Sequence, residues 1–204
     1  DSRNERYKEI NCPRSVADVY LSRGNWPELR KLLGFVEAPT VTLEGRLLDK
    51  QGYDPETKMF VACKTIDGYT APPAKPSMSD ASKAASRLLA TVSEFPFVGD
   101  VDKSAFVAGV LTALTRRMLT AAPMMAITAP TPGTGKTLIA ETFAIIATGR
   151  RASVLSLGVD DTETEKRLAG VLLAGDACVA LDNIERPLKG ELLCQVVSQQ
   201  FVRL

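Results

Sequence analysis

Histidine is absent from the 204 residues, which excludes Ser-His-Asp and Cys-His nucleophilic catalysis and His-ligated zinc. Lysine, carboxylates, hydroxyls and the backbone are left to carry any chemistry. Net charge is nearly absent as well: Lys+Arg 25 against Asp+Glu 24 leaves a formal +1, so nucleic-acid binding requires a local patch. Aromatic residues make up only 6%, and no aromatic-and-basic stacking surface of the kind single-strand binders use is visible. No window approaches the roughly 18 apolar residues of a membrane-spanning helix, and the opening DSRNERYKEI lacks a signal peptide's apolar stretch. The expectation is a cytoplasmic protein with no membrane partner. Cys12, Cys63, Cys178 and Cys194 are scattered and form no CxxC, and read as reduced packing residues.

What is present fits a folded chain. Hydrophobic residues at 45% and charged residues at 24% supply a core without disulfide staples. Three prolines in APPAKPSM (71–78) interrupt helix and strand ladders alike and mark a linker. Before it, 1–70 reads as a small α+β region with no catalytic constellation. That region holds a helix, or a pair broken at Gly24 and Pro27, over Ser15–Leu33. Short strands follow at 41–43 and 46–49 around Glu44-Gly45, and at 59–63 after a turn, Asp54-Pro55-Glu56-Thr57. Beyond the linker, Ala81, Ala84, Ala85, Leu88, Leu89 and Val92 follow helical spacing, with Ser79 or Asp80 placed as cap. Phe106, Val107, Val110, Leu111, Leu114 and Met118 repeat the pattern.

From Pro123 apolar runs and helices alternate. Strands are expected at Met124–Thr128, Ala152–Leu157 and Ala177–Leu181. Helices are expected at Thr137–Thr148, Thr162–Ala174 (capped by Thr162 with Glu165) and Gly190–Gln200. The fold class is α/β, a parallel sheet with helices on both faces, over 79–204. Between the first strand and first helix lies Pro130-Thr131-Pro132-Gly133-Thr134-Gly135-Lys136-Thr137. It is a P-loop, GxxxxGK[ST], with Pro130 where the pattern puts glycine. Its physical requirement is a run of inward-turned amides at a helix N-terminus. Residues 133–137 all keep their N–H, and Pro130 and Pro132 flank the nest. Thr131, Gly133, Thr134, Gly135, Lys136 and Thr137 are therefore the nucleotide-binding candidates, with Lys136 on the β and γ phosphates and Thr137 on Mg²⁺. Downstream, Cys178-Val179-Ala180-Leu181-Asp182 is an apolar strand ending in a carboxylate, the Walker-B position that holds the metal. Alone, such an Asp is commonly a turn residue; paired with the P-loop it becomes the second metal ligand.

The runs ITAPTPGTGKTLIAETFAIIATGR and LLAGDACVALDNIERPLKG resemble the ATPase domain of phage- and plasmid-encoded primase–helicase proteins, which belong among the AAA+ and superfamily-three helicase-like NTPases. QGYDPETKMF and SEFPFVGDVDKSAFVAGVLTAL look like segments upstream of that domain. The resemblance implies an ATP-driven ring, a homo-oligomer, moving along DNA during replication of a mobile element, with ATP and Mg²⁺ as ligands. It carries Lys136 over as phosphate ligand and Thr137 and Asp182 as metal ligands. Many such ATPases follow the Walker-B Asp with a Glu that orients the attacking water; here the position is Asn183, with Glu185 the nearest alternative base. Asn can hydrogen-bond a water but cannot accept its proton. Hydrolysis is then slow, uses Glu185, or is triggered only in an assembly. The resemblance also places a later strand, bearing a polar γ-phosphate sensor, between the Walker strands. The chain begins at Asp1 and ends at Leu204, so a partial domain is expected, with sensor and arginine finger beyond it. The two Walker strands then either flank a gap or pair directly.

Arg116-Arg117 and Arg150-Arg151 are the local basic pairs and read as solvated. A second function class fits the same residues: a nucleotide-dependent assembly module with little hydrolysis, favoured by Asn183. A small-molecule kinase would need an acceptor site and a lid, for which no residues stand out.

Overall fold

The computed structural model describes residues 10–63, 68–199 and 202; the expected helix end at Gln200 and the reading of residues 1–9 lie outside them. Alternation of strand and helix in the second half of the sequence produces β6 (Ser153–Ser156), α5 (Asp161–Leu173), β7 (Val179–Asp182) and α6 (Glu191–Ser198). β6 and β7 pair in parallel, Ser153 opposite Val179 through Ser156 opposite Asp182. The mixed α/β class with a parallel sheet is therefore present, as a two-stranded ladder.

The expected strand at 124–128 forms no ladder among the described residues. It keeps the strand's alternation, with Met125, Ile127 and Ala129 half-buried and Met124, Ala126 and Thr128 exposed. Met125 and Ile127 pack on the main core. The apolar pattern lays the segment down, but a strand also needs a neighbour for its amides and carbonyls, and none lies beside it among the described residues. Of the two arrangements expected for the Walker strands, direct pairing does not occur.

The main core is built by helices on either side of that segment. α2 (Met78–Ala90) and α3 (Asp100–Thr115) pack together, and α3 packs on α4 (Lys136–Thr148). Val92, Phe106, Val110, Ile139 and Phe143 are buried between them. An aromatic run crosses this core from Phe95 through Phe97 and Phe106 to Phe143, with 5.5 Å between the last two rings. The helical stripes were half right: Leu88, Leu89, Phe106 and Val110 face inward, whereas Ala81, Ala84 and Leu111 are exposed. The caps fall elsewhere. Ser77, not Ser79 or Asp80, caps α2: its Oγ accepts the Asp80 amide at 3.2 Å and the Asp80 carboxylate accepts the Ser77 amide at 2.9 Å. Asp160, not Thr162, caps α5 by accepting the Glu163 amide at 2.7 Å. A carboxylate facing a helix N-terminus also complements the peptide dipoles, which a neutral Thr does not.

The N-terminal region begins with one helix, α1 (Arg14–Ser22); Gly24 and Pro27 end it and no second helix follows. β2 (Thr40–Val41) and β3 (Leu47–Leu48) form the expected antiparallel hairpin. Gly45 at its turn has φ 84°, which only glycine adopts freely. β5 (Met59–Val61) pairs with β1 (Gly34–Val36) in parallel and β4 (Gly52–Asp54) antiparallel, two strands the short runs concealed. Asp54 closes the following turn, accepting the Thr57 amide at 2.9 Å and both guanidinium nitrogens of Arg46 at 2.9 Å. This region rests on the helices through Thr40, whose hydroxyl donates to the Leu114 carbonyl, and through an Arg150–Glu37 ion pair at 2.6 Å. No helix among the described residues is long and apolar enough to cross a membrane.

Candidate phosphate-binding site

The loop ahead of α4 owes its form to two glycines. Gly133 and Gly135 have φ of 77° and 86°, left-handed values at which an L side chain crowds the backbone. Alternating hand along such a turn aims successive amides to one side, the arrangement that forms an anion nest. Among the described residues the amides from Gly133 to Leu138 make no hydrogen bond; the first one satisfied is Ile139, which donates to the Gly135 carbonyl at 3.1 Å. Unmet amides of this kind stand at the start of any helix. Here the glycine turn extends the run upstream of the helix proper. Thr134 braces the loop by donating from its hydroxyl to the Thr131 carbonyl at 3.3 Å. Lys136 is half-buried and has no ion pair among the described residues; Thr137 is exposed.

A contact that sequence reasoning missed holds this loop in place. A Cβ on Gly135 would lie 2.7 Å from Cε1 of Phe95, so the ring occupies the space a side chain would need. The signal was available: Phe95-Pro96-Phe97 sets two aromatics side by side in a chain with few of them.

Asp182 ends β7, half-buried, with its Oδ1 accepting the Asn183 amide at 2.9 Å. α4 packs against β7, so the helix that follows the loop and the strand that carries the acid are neighbours. No hydrogen bond or ion pair joins Asp182 to Lys136 or Thr137 among the described residues. Asn183 is left-handed at φ 53°, a conformation that Asn tolerates better than most residues, and it is exposed, as is Glu185. Arg186, next in the chain after Glu185, is half-buried and bonded. Its guanidinium donates to the Gly158 carbonyl at 2.8 Å and the Thr164 hydroxyl at 3.1 Å, and meets Asp161 at 3.3 Å. Lys189 adds a contact to Asp161 at 3.1 Å. The loop after Asp182 is thereby tied to the start of α5.

A Mg²⁺ of the expected kind would take one hydroxyl, one carboxylate and phosphate or water oxygens, so it needs no three-ligand protein cluster, and none is present among the described residues. Three of the four arginines in the basic pairs make contacts within the protein. Arg116 donates to the carbonyls of Leu119 and Val196 at 3.0 and 3.1 Å, Arg150 pairs with Glu37, and Arg151 lies 3.6 Å from Glu141. The cysteines divide: Cys63 and Cys178 are half-buried, with burial pushing both thiols up, whereas Cys12 and Cys194 are exposed and so do not serve as packing residues.

Comparison of the chain with protein-family models, with curated proteins and with solved structures finds no match.

Proposed function

We propose that the chain is an Mg-ATP-binding P-loop NTPase, the motor portion of a DNA helicase or primase–helicase of a mobile element that works as an oligomeric ring. One observation carries the nucleotide reading: unpartnered amides from Gly133 to Leu138, curled by two left-handed glycines at the start of a 13-residue helix. Such a nest favours a polyanion because it supplies donors and partial positive charge together, with no side-chain rearrangement on binding. In this reading Lys136 adds its ammonium to the β and γ phosphates. The Thr137 hydroxyl and the Asp182 carboxylate hold the metal, which would neutralise charge developing on the phosphates. Gly135 lets the backbone approach the ligand closely, and Phe95 fixes where that backbone lies. Asn183 and Glu185 are the residues near Asp182 that orient or deprotonate a water. The DNA and ring assignments rest on the resemblance alone.

Removal of the Lys136 ammonium takes away a charge-assisted contact, so Lys136→Ala should weaken Mg-ATP binding by about 10- to 100-fold. Equal affinity in wild type and variant removes the premise. A second reading, an assembly module that binds nucleotide without turning it over, is favoured by Asn183, whose amide is directed at Asp182 and whose side chain cannot take a proton. Light scattering with a non-hydrolysable ATP analogue, set beside phosphate release with ATP, separates the two. Association without turnover supports the module, and turnover stimulated by single-stranded DNA supports the motor.

A further inference from the structure

We propose that a second site, a cavity of about 440 Å³ walled by β1, the far ends of α3 and α4, and α6, binds a small amphipathic anion: one carboxylate or phosphate on an apolar body, with Arg117 as its charge partner. Its size lies within the roughly 300–1,000 Å³ of small-molecule pockets. α4 starts at the phosphate loop and ends at Thr148 in the cavity wall. The two sites are therefore about 20 Å apart, the length of a 13-residue helix. The inference stands independently of nucleotide binding.

The charge of the ligand follows from which wall groups already have partners. Glu37 is paired with Arg150 at 2.6 Å. Asp176 accepts the Ser153 hydroxyl at 2.7 Å. Arg116 is spent on the carbonyls of Leu119 and Val196. Arg117 alone among these makes no hydrogen bond or ion pair among the described residues. Its Nη1 lies against β1, 2.7 Å from where a Cβ on Gly34 would stand, which is the space that glycine leaves open. The residue is exposed to solvent; the cavity wall lowers its pKa from the ordinary arginine value and Glu37 raises it. A guanidinium on a cavity wall with no acceptor of its own is free to take an anion, and its planar fork suits a carboxylate or phosphate. Phe35, Leu114, Met118 and Val196 form an apolar part of the wall beside the polar Thr40, Thr148 and Gln199, so an anionic head joined to an apolar body matches both parts of the lining. Because the cavity lies between the β1–β5–β4 sheet and the helices that carry the phosphate loop, an occupant would bridge both.

Calorimetry on the full chain with octanoate, phenyl phosphate, inorganic phosphate and octanol tests this. Octanoate or phenyl phosphate should bind, and inorganic phosphate and octanol should each bind at least about tenfold more weakly, since each offers half of the recognition. Arg117→Gln should weaken the better probe by about tenfold or more, Arg117→Lys should weaken it less, and Lys136→Ala should leave it unchanged. Circular dichroism checks that each variant is folded; should Arg117→Gln unfold, the Arg117→Lys comparison decides. Failure of both amphipathic probes to bind wild type overturns the proposal. So does equal binding by the Arg117 variants, or competition with Mg-ATP that disappears in Lys136→Ala, which would place the anion in the phosphate loop.

Discussion

Gly135 shows how a single residue can be fixed twice over. Its φ of 86° places any side chain in a conformation costing about 1–2 kcal/mol, and the Phe95 ring fills the space where a Cβ would go. Gly135→Ala should therefore lower stability and weaken Mg-ATP binding. Adding Phe95→Ala should return the steric part of the stability loss and leave the conformational part, as read from urea midpoints of the single and double variants. No recovery in the double variant contradicts the contact. Asp54 supplies a pH-dependent prediction. Its hydrogen bonds from Arg46 and Thr57 hold its carboxyl well below the usual carboxylate range. A depressed folded pKa means that the unfolded chain binds the proton first as pH falls. The contribution is fully present above the unfolded value of about 3.9 and is lost as pH drops through the lower folded value. Asp54→Asn should lower the melting temperature at pH 7 and flatten its decline below about pH 4 relative to wild type. An identical decline in both proteins refutes the assignment. At this scale the sequence was readable where backbone geometry requires a residue type or a strand pattern ends: glycines at positive φ, an acid at a strand end. It was not readable where a residue acts through a distant partner, as Phe95 and Arg186 do, because spacing along a chain does not report which side chains meet.

Elements were legible to the extent that one buried face determines them. The three helices α4 to α6 start one residue from where apolar spacing and caps put them, since a stripe facing a core persists in any packing. The capping residues of α2 and α5 were misread because Ser, Thr and Asp crowd both helix starts and several can donate or accept there. The segment 124–128 failed as a strand for a different reason: alternation reports burial of one face, whereas a ladder needs a partner on an edge. β1 and β4, three residues each, are too short to show a period at all. The α3–α4 contact gives the element-scale prediction. Phe106 is 3% exposed and stacks on Phe143, so Phe106→Ala should cost about 3–5 kcal/mol, the range for emptying a buried aromatic site. Urea denaturation measures it, and a loss under about 1 kcal/mol would mean that the ring is not a core element.

At the scale of the molecule, two regions with different sheets meet through few polar contacts, Thr40 with Leu114 and Glu37 with Arg150, and around a cavity rather than a filled seam. Composition suggested the division at the proline-rich stretch but carried no information about this seam, which is made by residues more than 70 positions apart. The glycine loop sits at one end of α4 and the seam at the other. Of the arginine pairs that read as solvated, Arg116, Arg150 and Arg151 also make contacts within the protein.

Titration of Mg-ATP into the folded chain by isothermal calorimetry tests the central claim most directly. The account predicts saturable uptake at one site that Lys136→Ala weakens by about 10- to 100-fold while the circular dichroism of the variant stays unchanged. No heat of binding from a sample with native circular dichroism would contradict it, and the loop from Gly133 to Thr137 would then be only a turn into a helix.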